Sequence, residues 1–191
     1  VVFEDLGILE ILKENKINVE TIIYPSHAAC SFYTVNSYLE EVDTVILSND
    51  ITKEEIEEIL KKSTKPVGIL VYGHLPYMYS RRTLLKNYAQ NYGLTHKKIR
   101  VVKELVSKQE FLIFEDEKGT IFYDPCVFLD RYFLNNEKIS YSIVDLNFIK
   151  VESINKFIED FEKQAVLENT TEGFLHRKTI YRLPPKGEKN D

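Results

Sequence analysis

The sequence predicts an α/β fold in which βαβ units build a parallel sheet. Helical and strand-like patterns alternate over the first 73 residues, as parallel strands and their crossover helices require. Such units close into a (β/α) barrel or form an open doubly wound sheet. No glycine-rich phosphate turn follows any of these strands, and this favours the barrel. An antiparallel β-hairpin region near 98–123 then interrupts the alternation.

The first 73 residues contain three helix–strand pairs. Apolar residues recur with a helical period after Asp5, and a β-rich run stops at Pro25, as a strand does. Thr52 and Glu55 have the spacing of a capping box at the start of the third helix. In chain order, we predict a helix over 5–15, a strand over 18–24, a helix over 34–42, a strand over 43–48, a helix over 51–63 and a buried strand over 66–72.

The pattern changes after residue 73. Gly119 supplies a tight turn between two β-rich runs, and Pro125 suits the first turn of a helix. In chain order, we predict a helix over 82–92, strands over 97–105, 110–116 and 120–124, a helix over 125–134, a strand over 139–146 and a long amphipathic helix over 147–167. We expect the barrel domain with its hairpin insertion to cover 1–167, and a C-terminal extension with a frayed polar tail to cover 168–191.

The composition excludes several classes of protein. With 191 residues and 43% hydrophobic side chains, the chain can bury a sizeable core. No apolar run reaches the roughly 18–20 residues of a membrane-spanning helix, and the first residues show no signal-peptide pattern. Cys30 and Cys126 are too few for a disulfide framework or a cysteine-ligated metal site. We therefore expect a cytoplasmic protein that does not contact membranes.

The net charge of −5 conceals an uneven distribution along the chain. Residues 1–58 carry 13 acidic and 3 basic side chains, whereas residues 59–103 carry 10 basic side chains and no acidic one. The last 88 residues, 104–191, return to 17 acidic and 12 basic side chains. Three of the lysines are explained by the end of the predicted helix over 51–63. The other seven basic residues, from Arg81 to Lys103, indicate an anionic partner.

Polar side chains follow three of the predicted strands, and functional residues of parallel barrels collect at such strand ends. The first strand end supplies His27, the second Asp50, and the third His74, which Ser80 follows along the chain. No nucleophile elbow, protease signature or metal-ligand spacing accompanies these residues. They are candidates for substrate binding, and each could equally cap a helix or hydrogen-bond a loop. No catalytic residue is assigned.

A basic and aromatic stretch begins where the third strand is predicted to end. Guanidinium groups bind phosphate in pairs of hydrogen bonds, and tyrosine rings stack on unpaired bases. Arg81 and Arg82 are therefore candidates for binding an anionic substrate. The candidates for contacting RNA are Tyr79, Lys86, Lys97, Lys98 and Arg100. The alternative is that the tyrosines are half-buried core residues and that the arginines are solvated.

An ordered set of segments resembles the collagenase-like peptidases, family thirty-two of the peptidases of unassigned mechanism. The resemblance is carried by EDLGILEIL, VILSNDITKEEIEEI, YGHLPYMYSRRTLLKNY, FEDEKGTIFYDPCVFLD and TEGFLHRKTIY, which together span nearly all of the chain. It implies a TIM-like barrel of which this chain holds a part, because roughly a hundred residues would precede Val1 in a full-length member. The first residue is valine and Met78 is the only methionine, so we expect a fragment or a processed product.

The resemblance implies two competing activities. Some members degrade collagen, whereas others act in hydroxylation of RNA bases, notably the wobble uridine of transfer RNA, or of quinone precursors. The chain is most similar to a shorter bacterial subgroup linked to the transfer-RNA modification. Three hypotheses follow: an enzyme or enzyme subunit of RNA modification, a peptidase, and a non-catalytic RNA-binding or partner subunit.

The departures from the family pattern bear on cofactors and partners. Many relatives hold an iron–sulfur cluster through cysteines where this chain has Pro76, Tyr77 and Thr83. An arginine–glutamate pair of the family is replaced by Asn49 and Asp50. We therefore expect no cofactor in this chain. The expected partners are transfer RNA and a homologous subunit that bears the cluster, or a second copy of the chain.

Overall fold

A computed structural model describes residues 1–177 and shows a mixed α/β protein that divides into two compact units. The first unit contains Val1–Ile69, Asn136–Tyr141 and the described part of Glu172–Asp191; the second contains Leu70–Asn135 and Ser142–Thr171. The helices are α1 (Gly7–Glu14), α2 (Phe32–Glu41), α3 (Lys53–Lys62), α4 (Leu84–Asn91) and α5 (Ile154–Glu162). The strands are β1 (Val2–Phe3), β2 (Ile22–Ile23), β3 (Thr44–Val45), β4 (Val67–Ser80), β5 (Ile99–Lys103), β6 (Glu110–Asp116), β7 (Gly119–Leu129), β8 (Ile139–Val144) and β9 (Thr170–Thr171).

The first unit is built on short parallel strands joined by helices, as the alternation predicts. β1, β2 and β3 are neighbours in that order, and a parallel bridge between Ile46 and Gly68 continues the series to the start of β4. The side chains of Ile23, Val45 and Ile46 are fully buried, as expected for strands covered on both faces. The predicted helices and strands of this part are confirmed, although β2 and β3 are shorter than predicted.

The third helix begins as the sequence predicts. The side chain of Thr52 accepts a hydrogen bond from the backbone N–H of Glu55, and the Glu55 carboxylate accepts one from the backbone N–H of Thr52. This reciprocal arrangement satisfies two of the amide groups that the first turn of a helix leaves without a partner. The capping box is confirmed.

The second unit contains a sheet in which β5, β6, β7 and β4 are antiparallel neighbours. Its strand order is β5-β6-β7-β4-β8, and β9 pairs with β7 in parallel. Asp116 pairs with Gly119, so β6 and β7 form the predicted hairpin with a two-residue connection. Gly119 has a φ of 144°, and a Cβ atom there would lie 2.1 Å from the carbonyl oxygen of Ser80. Glycine is therefore required at this turn.

The largest departure from the predicted fold is the length of β4. The buried strand predicted over 66–72 does not end at Gly73 but runs on to Ser80. β7 provides the reason, since it pairs with β4 from Tyr72 to Ser80 and satisfies the backbone groups of the extension. The register is irregular on both sides of Pro76, whose nitrogen cannot donate a hydrogen bond.

Two predicted helices are wrong in type or in length. The helix over 125–134 is replaced by the end of β7, because Pro125 lies in the irregular part of its pairing with β4 and the following residues pair with β4 and β9. The long helix over 147–167 is limited to α5 and a preceding 3-10 turn. Phe148 and Gln164 have φ values of 70° and 54°, and this left-handed backbone cannot continue an α-helix.

The described residues form no closed barrel, and no helix among residues 1–177 is long and apolar enough to cross a membrane. The predicted frayed tail over 184–191 lies outside the described residues.

Candidate functional site

The carboxyl ends of β2 and β3 carry a histidine–aspartate pair. Nδ1 of His27 lies 3.0 Å from Oδ2 of Asp50, although the two residues are 23 positions apart in the chain. Both side chains are substantially exposed, at 66% and 42%. The carboxylate fixes the orientation of the imidazole, which is the arrangement that a positioned proton acceptor requires. Two candidates chosen for their positions after separate strands are thus brought together.

Two further hydrogen bonds join the same loops. The hydroxyl of Ser48 donates to the carbonyl of Ser26 over 2.9 Å, and the amide of Asn49 donates to the hydroxyl of Tyr24 over 2.9 Å. Ser26 has a φ of 50°, a backbone conformation that costs free energy and persists only where surrounding contacts hold it. The loop that presents His27 is therefore held in one conformation.

His74 lies within a strand and not at a strand end. It is half-buried in β4, where Nδ1 lies 2.8 Å from the carbonyl oxygen of Asp124 and the ring meets Phe148 edge-on at 5.3 Å. Asp124 falls in the irregular part of the β4–β7 pairing, between the partners of Pro76 and His74. The imidazole therefore satisfies a backbone carbonyl at an interruption of the ladder, which is a structural contact.

The arginines follow the true end of β4. The backbone N–H of Arg82 donates to the hydroxyl of Ser80 over 3.2 Å, so the predicted substrate-binding serine forms part of the turn. Arg81 and Arg82 have exposed side chains. Tyr79 is 59% exposed, and its hydroxyl donates to the carbonyl of Lys118 over 2.7 Å.

A buried glutamate that we did not predict as a functional residue organises this region. Glu115 in β6 is 2% exposed. Its carboxylate accepts hydrogen bonds from the backbone N–H groups of Leu85 and Lys86, at 2.6 and 2.9 Å, in the first turn of α4. Nε2 of His96 lies 3.0 Å from Oε1, and the hydroxyl of Thr120 lies 2.7 Å from Oε2. The carboxylate therefore caps α4 from a neighbouring strand.

The alternation of β6 contains the signal for this burial. Glu115 is two residues after the buried Ile113, so it faces the apolar side of the strand. Burial raises the pKa of Glu115, but the hydrogen bonds from Thr120, the two α4 amides and His96 outweigh it. They hold the pKa of the carboxyl below its usual range. An ionised carboxylate is thus held inside the second unit.

Glu115 and Thr120 also hold the backbone of the basic stretch between Arg81 and Lys103 at two points. The backbone N–H of Glu115 donates to the carbonyl of Lys98 over 2.8 Å, and the Thr120 hydroxyl lies 2.7 Å from the carbonyl of Arg82. The segments before α4 and before β5 are consequently tied to the same two residues. We call the exposed cations of these segments the basic surface: Arg81, Arg82, Lys86, Lys97 and Lys98. The remaining candidate, Arg100, is half-buried and donates to the carbonyl of Thr95 over 2.7 Å.

One known protein family matches nearly the whole length of the chain. The family model described as peptidase family U32 matches residues 1–172. The chain belongs to peptidase family U32. The match covers the whole second unit, most of the first unit, the histidine–aspartate pair and the basic surface of this U32 protein. No curated protein and no solved structure matches the chain.

Residues 1–177 of this U32 protein contain no group of three or more histidine, cysteine, aspartate or glutamate side chains that could hold a metal ion. Burial and the carboxylate of Asp124 raise the pKa of the Cys126 thiol, which lies 3.4 Å from Oδ1 of Asn169. A thiol with a raised pKa is a poor metal ligand, because the thiolate is the form that binds metal. Cys30 lies in the other unit. The expectation of no cofactor stays a prediction.

Proposed function

We propose that this U32 protein acts in hydroxylation of the wobble uridine of transfer RNA, as the enzyme or as a partner subunit that binds the RNA. The observation that carries the proposal is the basic surface. Its five cations come from a stretch of 45 residues, 59–103, without any acidic side chain, in a protein whose net charge is −5. Phosphate recognition requires such a local excess of positive charge.

The arrangement of the basic surface supports binding in preference to catalysis. The carboxylate of Glu115 is removed from solvent and accepts a hydrogen bond from the backbone N–H of Lys86, and the backbone N–H of Glu115 donates to the carbonyl of Lys98. The cations therefore lie on anchored segments. Ordered cations lose less conformational entropy when they bind a phosphate chain. No group with the geometry of a nucleophile and its base lies on these segments, so the chemistry of an enzyme would use another part of the protein.

The fold is included in the proposal. We propose that β1, β2, β3 and the start of β4 correspond to consecutive strands of a TIM-like barrel, because they are parallel and neighbour one another in chain order. Under this proposal, His27 and Asp50 occupy the loops where barrel enzymes place substrate. The protein is proposed to be bacterial and cytoplasmic, on the basis of the resemblance and of the cysteine content.

Salt-dependent RNA binding tests the proposal directly. Each phosphate contact contributes about −0.7 to the slope of log K against log salt for a single strand. We expect the Arg81→Ala/Arg82→Ala variant to weaken binding to transfer RNA and to flatten this slope. Lys150→Ala/Lys156→Ala is the matched control, since it removes the same charge from exposed positions in the same unit. Equal losses in the two variants would contradict a role for the basic surface.

The reaction is tested in cells. Deleting the gene and analysing the nucleosides of bulk transfer RNA by mass spectrometry should show loss of hydroxylated wobble uridine. Complementation with the wild-type gene should restore it, and the Arg81→Ala/Arg82→Ala variant should restore less. An unchanged nucleoside profile in the deletion strain would refute the proposed reaction.

A peptidase is the second candidate, favoured by the pair of His27 and Asp50. An imidazole oriented by a carboxylate is a general base for hydrolysis. If the protein is a peptidase, the full-length form should cleave gelatin or unfolded peptides, and His27→Ala should abolish cleavage. Intact substrates, with and without divalent metals, would exclude this function.

A non-catalytic RNA-binding or partner subunit is the third candidate, and a pull-down from cells tests it. Recovery of a homologous chain together with transfer RNA would support it. Recovery of neither would argue against it.

A further inference from the structure

Two tyrosines of α4 form an exposed aromatic pair. Tyr88 and Tyr92 are four residues apart and therefore lie on the same side of the helix. Their ring centroids are 4.6 Å apart at an interplanar angle of 40°. They remain 57% and 63% exposed, whereas Leu85 and Ala89, which lie beside them on the helix, are buried. The two rings therefore present aromatic surface to solvent, while the buried residues pack the helix against its unit.

The setting of the pair indicates the chemistry of what it binds. α4 begins two residues after Arg82, and it carries Lys86 in its first turn, two residues before Tyr88. Flat aromatic faces next to cations suit a ligand that combines flat rings with phosphates. An acidic peptide would satisfy the cations and leave the aromatic faces without a matching partner. The basic surface therefore complements the charge of nucleic acid, and the tyrosines complement its bases.

We propose that Tyr88 and Tyr92 form a stacking platform for unpaired bases of single-stranded RNA. This inference rests on the proposed function, because it needs an RNA ligand on the basic surface. It adds that the RNA is read where its bases are unpaired, as they are in a loop. Bases in a duplex stack on one another and cannot offer their faces to the protein.

Fluorescence anisotropy with two labelled RNAs of equal length, oligouridine and a duplex, tests the inference. Stacking on an aromatic side chain contributes about 1–3 kcal/mol per base. We expect Tyr88→Ala/Tyr92→Ala to weaken oligouridine binding about tenfold or more and duplex binding less than twofold. The salt dependence should stay unchanged, since no cation is removed. Tyr88→Phe/Tyr92→Phe keeps the rings and should bind within about twofold of wild type.

Two controls separate stacking from loss of structure. Tyr33→Ala removes a tyrosine that is 74% exposed in the other unit and should leave binding unchanged. Circular dichroism should show the same helix content in the alanine and phenylalanine variants. Equal losses for oligouridine and duplex would overturn the inference, because stacking requires unpaired bases.

The outcomes distinguish this inference from the proposed function. If wild type binds oligouridine and the alanine variant binds it equally well, the stacking platform is refuted while RNA binding stands. If folded wild type binds neither RNA at low salt, the proposed function fails and the platform fails with it. If the alanine variant loses affinity for oligouridine but not for the duplex, and the phenylalanine variant binds oligouridine as wild type does, both the stacking platform and RNA binding are supported.

Discussion

Removing the carboxylate of Glu115 should strongly destabilise the second unit. Glu115→Ala deletes the acceptor of four hydrogen bonds, two from the first turn of α4 and one each from His96 and Thr120. Alanine offers no acceptor in its place. At 2% exposure, the site gives water no ready access to the donors that are left behind. The expected effect is loss of stability together with loss of order in the basic surface.

The size of the loss follows from the donors that remain. Each buried donor left without an acceptor costs about 1–3 kcal/mol, and hydrogen bonds to a charged group contribute about 1.5–3 kcal/mol each. These contributions are not additive, because α4 can fray and relieve the amides of Leu85 and Lys86. Removing one partner of a buried charged network typically costs about 3–5 kcal/mol. We expect a loss in that range, which is a large part of the roughly 5–15 kcal/mol of a typical domain.

Urea unfolding monitored by circular dichroism measures the loss. Glu117→Ala is the matched control, since Glu117 is an exposed glutamate in the adjoining hairpin turn. It should change stability by less than about 0.5 kcal/mol. Glu115→Gln retains the shape and one acceptor oxygen, and it should fall between the two. A loss below about 1 kcal/mol for Glu115→Ala would refute the assigned role.

The pH dependence gives a second test of the same residue. The pKa of Glu115 is lowered in the folded protein, so the ionised carboxylate contributes stability above the usual glutamate pKa. That contribution is lost as the pH falls through the lowered pKa. The difference in stability between wild type and Glu115→Ala should therefore be full near neutral pH and shrink below about pH 4. A difference that grows towards acid pH would contradict an ionised carboxylate.

Three further predictions concern other parts of the chain. Thr52→Ala removes the capping box of α3 and should cost about 1 kcal/mol in urea unfolding, whereas Thr52→Ser should cost less. Gly119→Ala places a Cβ atom 2.1 Å from the Ser80 carbonyl at a positive φ and should cost about 1–3 kcal/mol or more, measured by thermal unfolding. Asp50→Asn should change stability by less than about 1 kcal/mol, because its pair with His27 is exposed. If Asp50→Asn abolishes RNA modification or peptide cleavage while stability changes by less than this amount, the pair serves activity. A loss of stability above about 1 kcal/mol would show that the pair serves folding.

Helices and strands were predictable where a local sequence pattern is compatible with only one type of structure. The helical period and the capping box at Thr52 predict α3, and the β-rich runs around Gly119 predict the hairpin of β6 and β7. The predictions were wrong where a pattern is compatible with two types of structure. Pro125 suits the first turn of a helix and also an interruption of a strand, and the pairing of β7 with β4 decided between them. Gly73 was read as the end of a strand because its long-range partner, Phe128, is not visible in the local sequence.

The candidate site was predictable only in part, for a related reason. His27 and Asp50 were found because the ends of neighbouring parallel strands lie close together, a rule that needs no contact map. Glu115 was missed because its burial depends on donors from α4 and on His96, which lie 19–30 residues earlier in the chain. The exposure of Tyr88 and Tyr92 also depends on which face of α4 is packed.

The sequence by itself determined the α/β class, the family, the acid-free basic stretch and most of the helices and strands. These properties are set by composition and by patterns within about ten residues. The tertiary structure alone decided that β4 runs on to Ser80, that a buried carboxylate anchors the basic surface and that two tyrosines of α4 face solvent. Each of these depends on hydrogen bonds or packing between distant segments. Backbone groups and buried charges take whichever partners the folded chain brings near them.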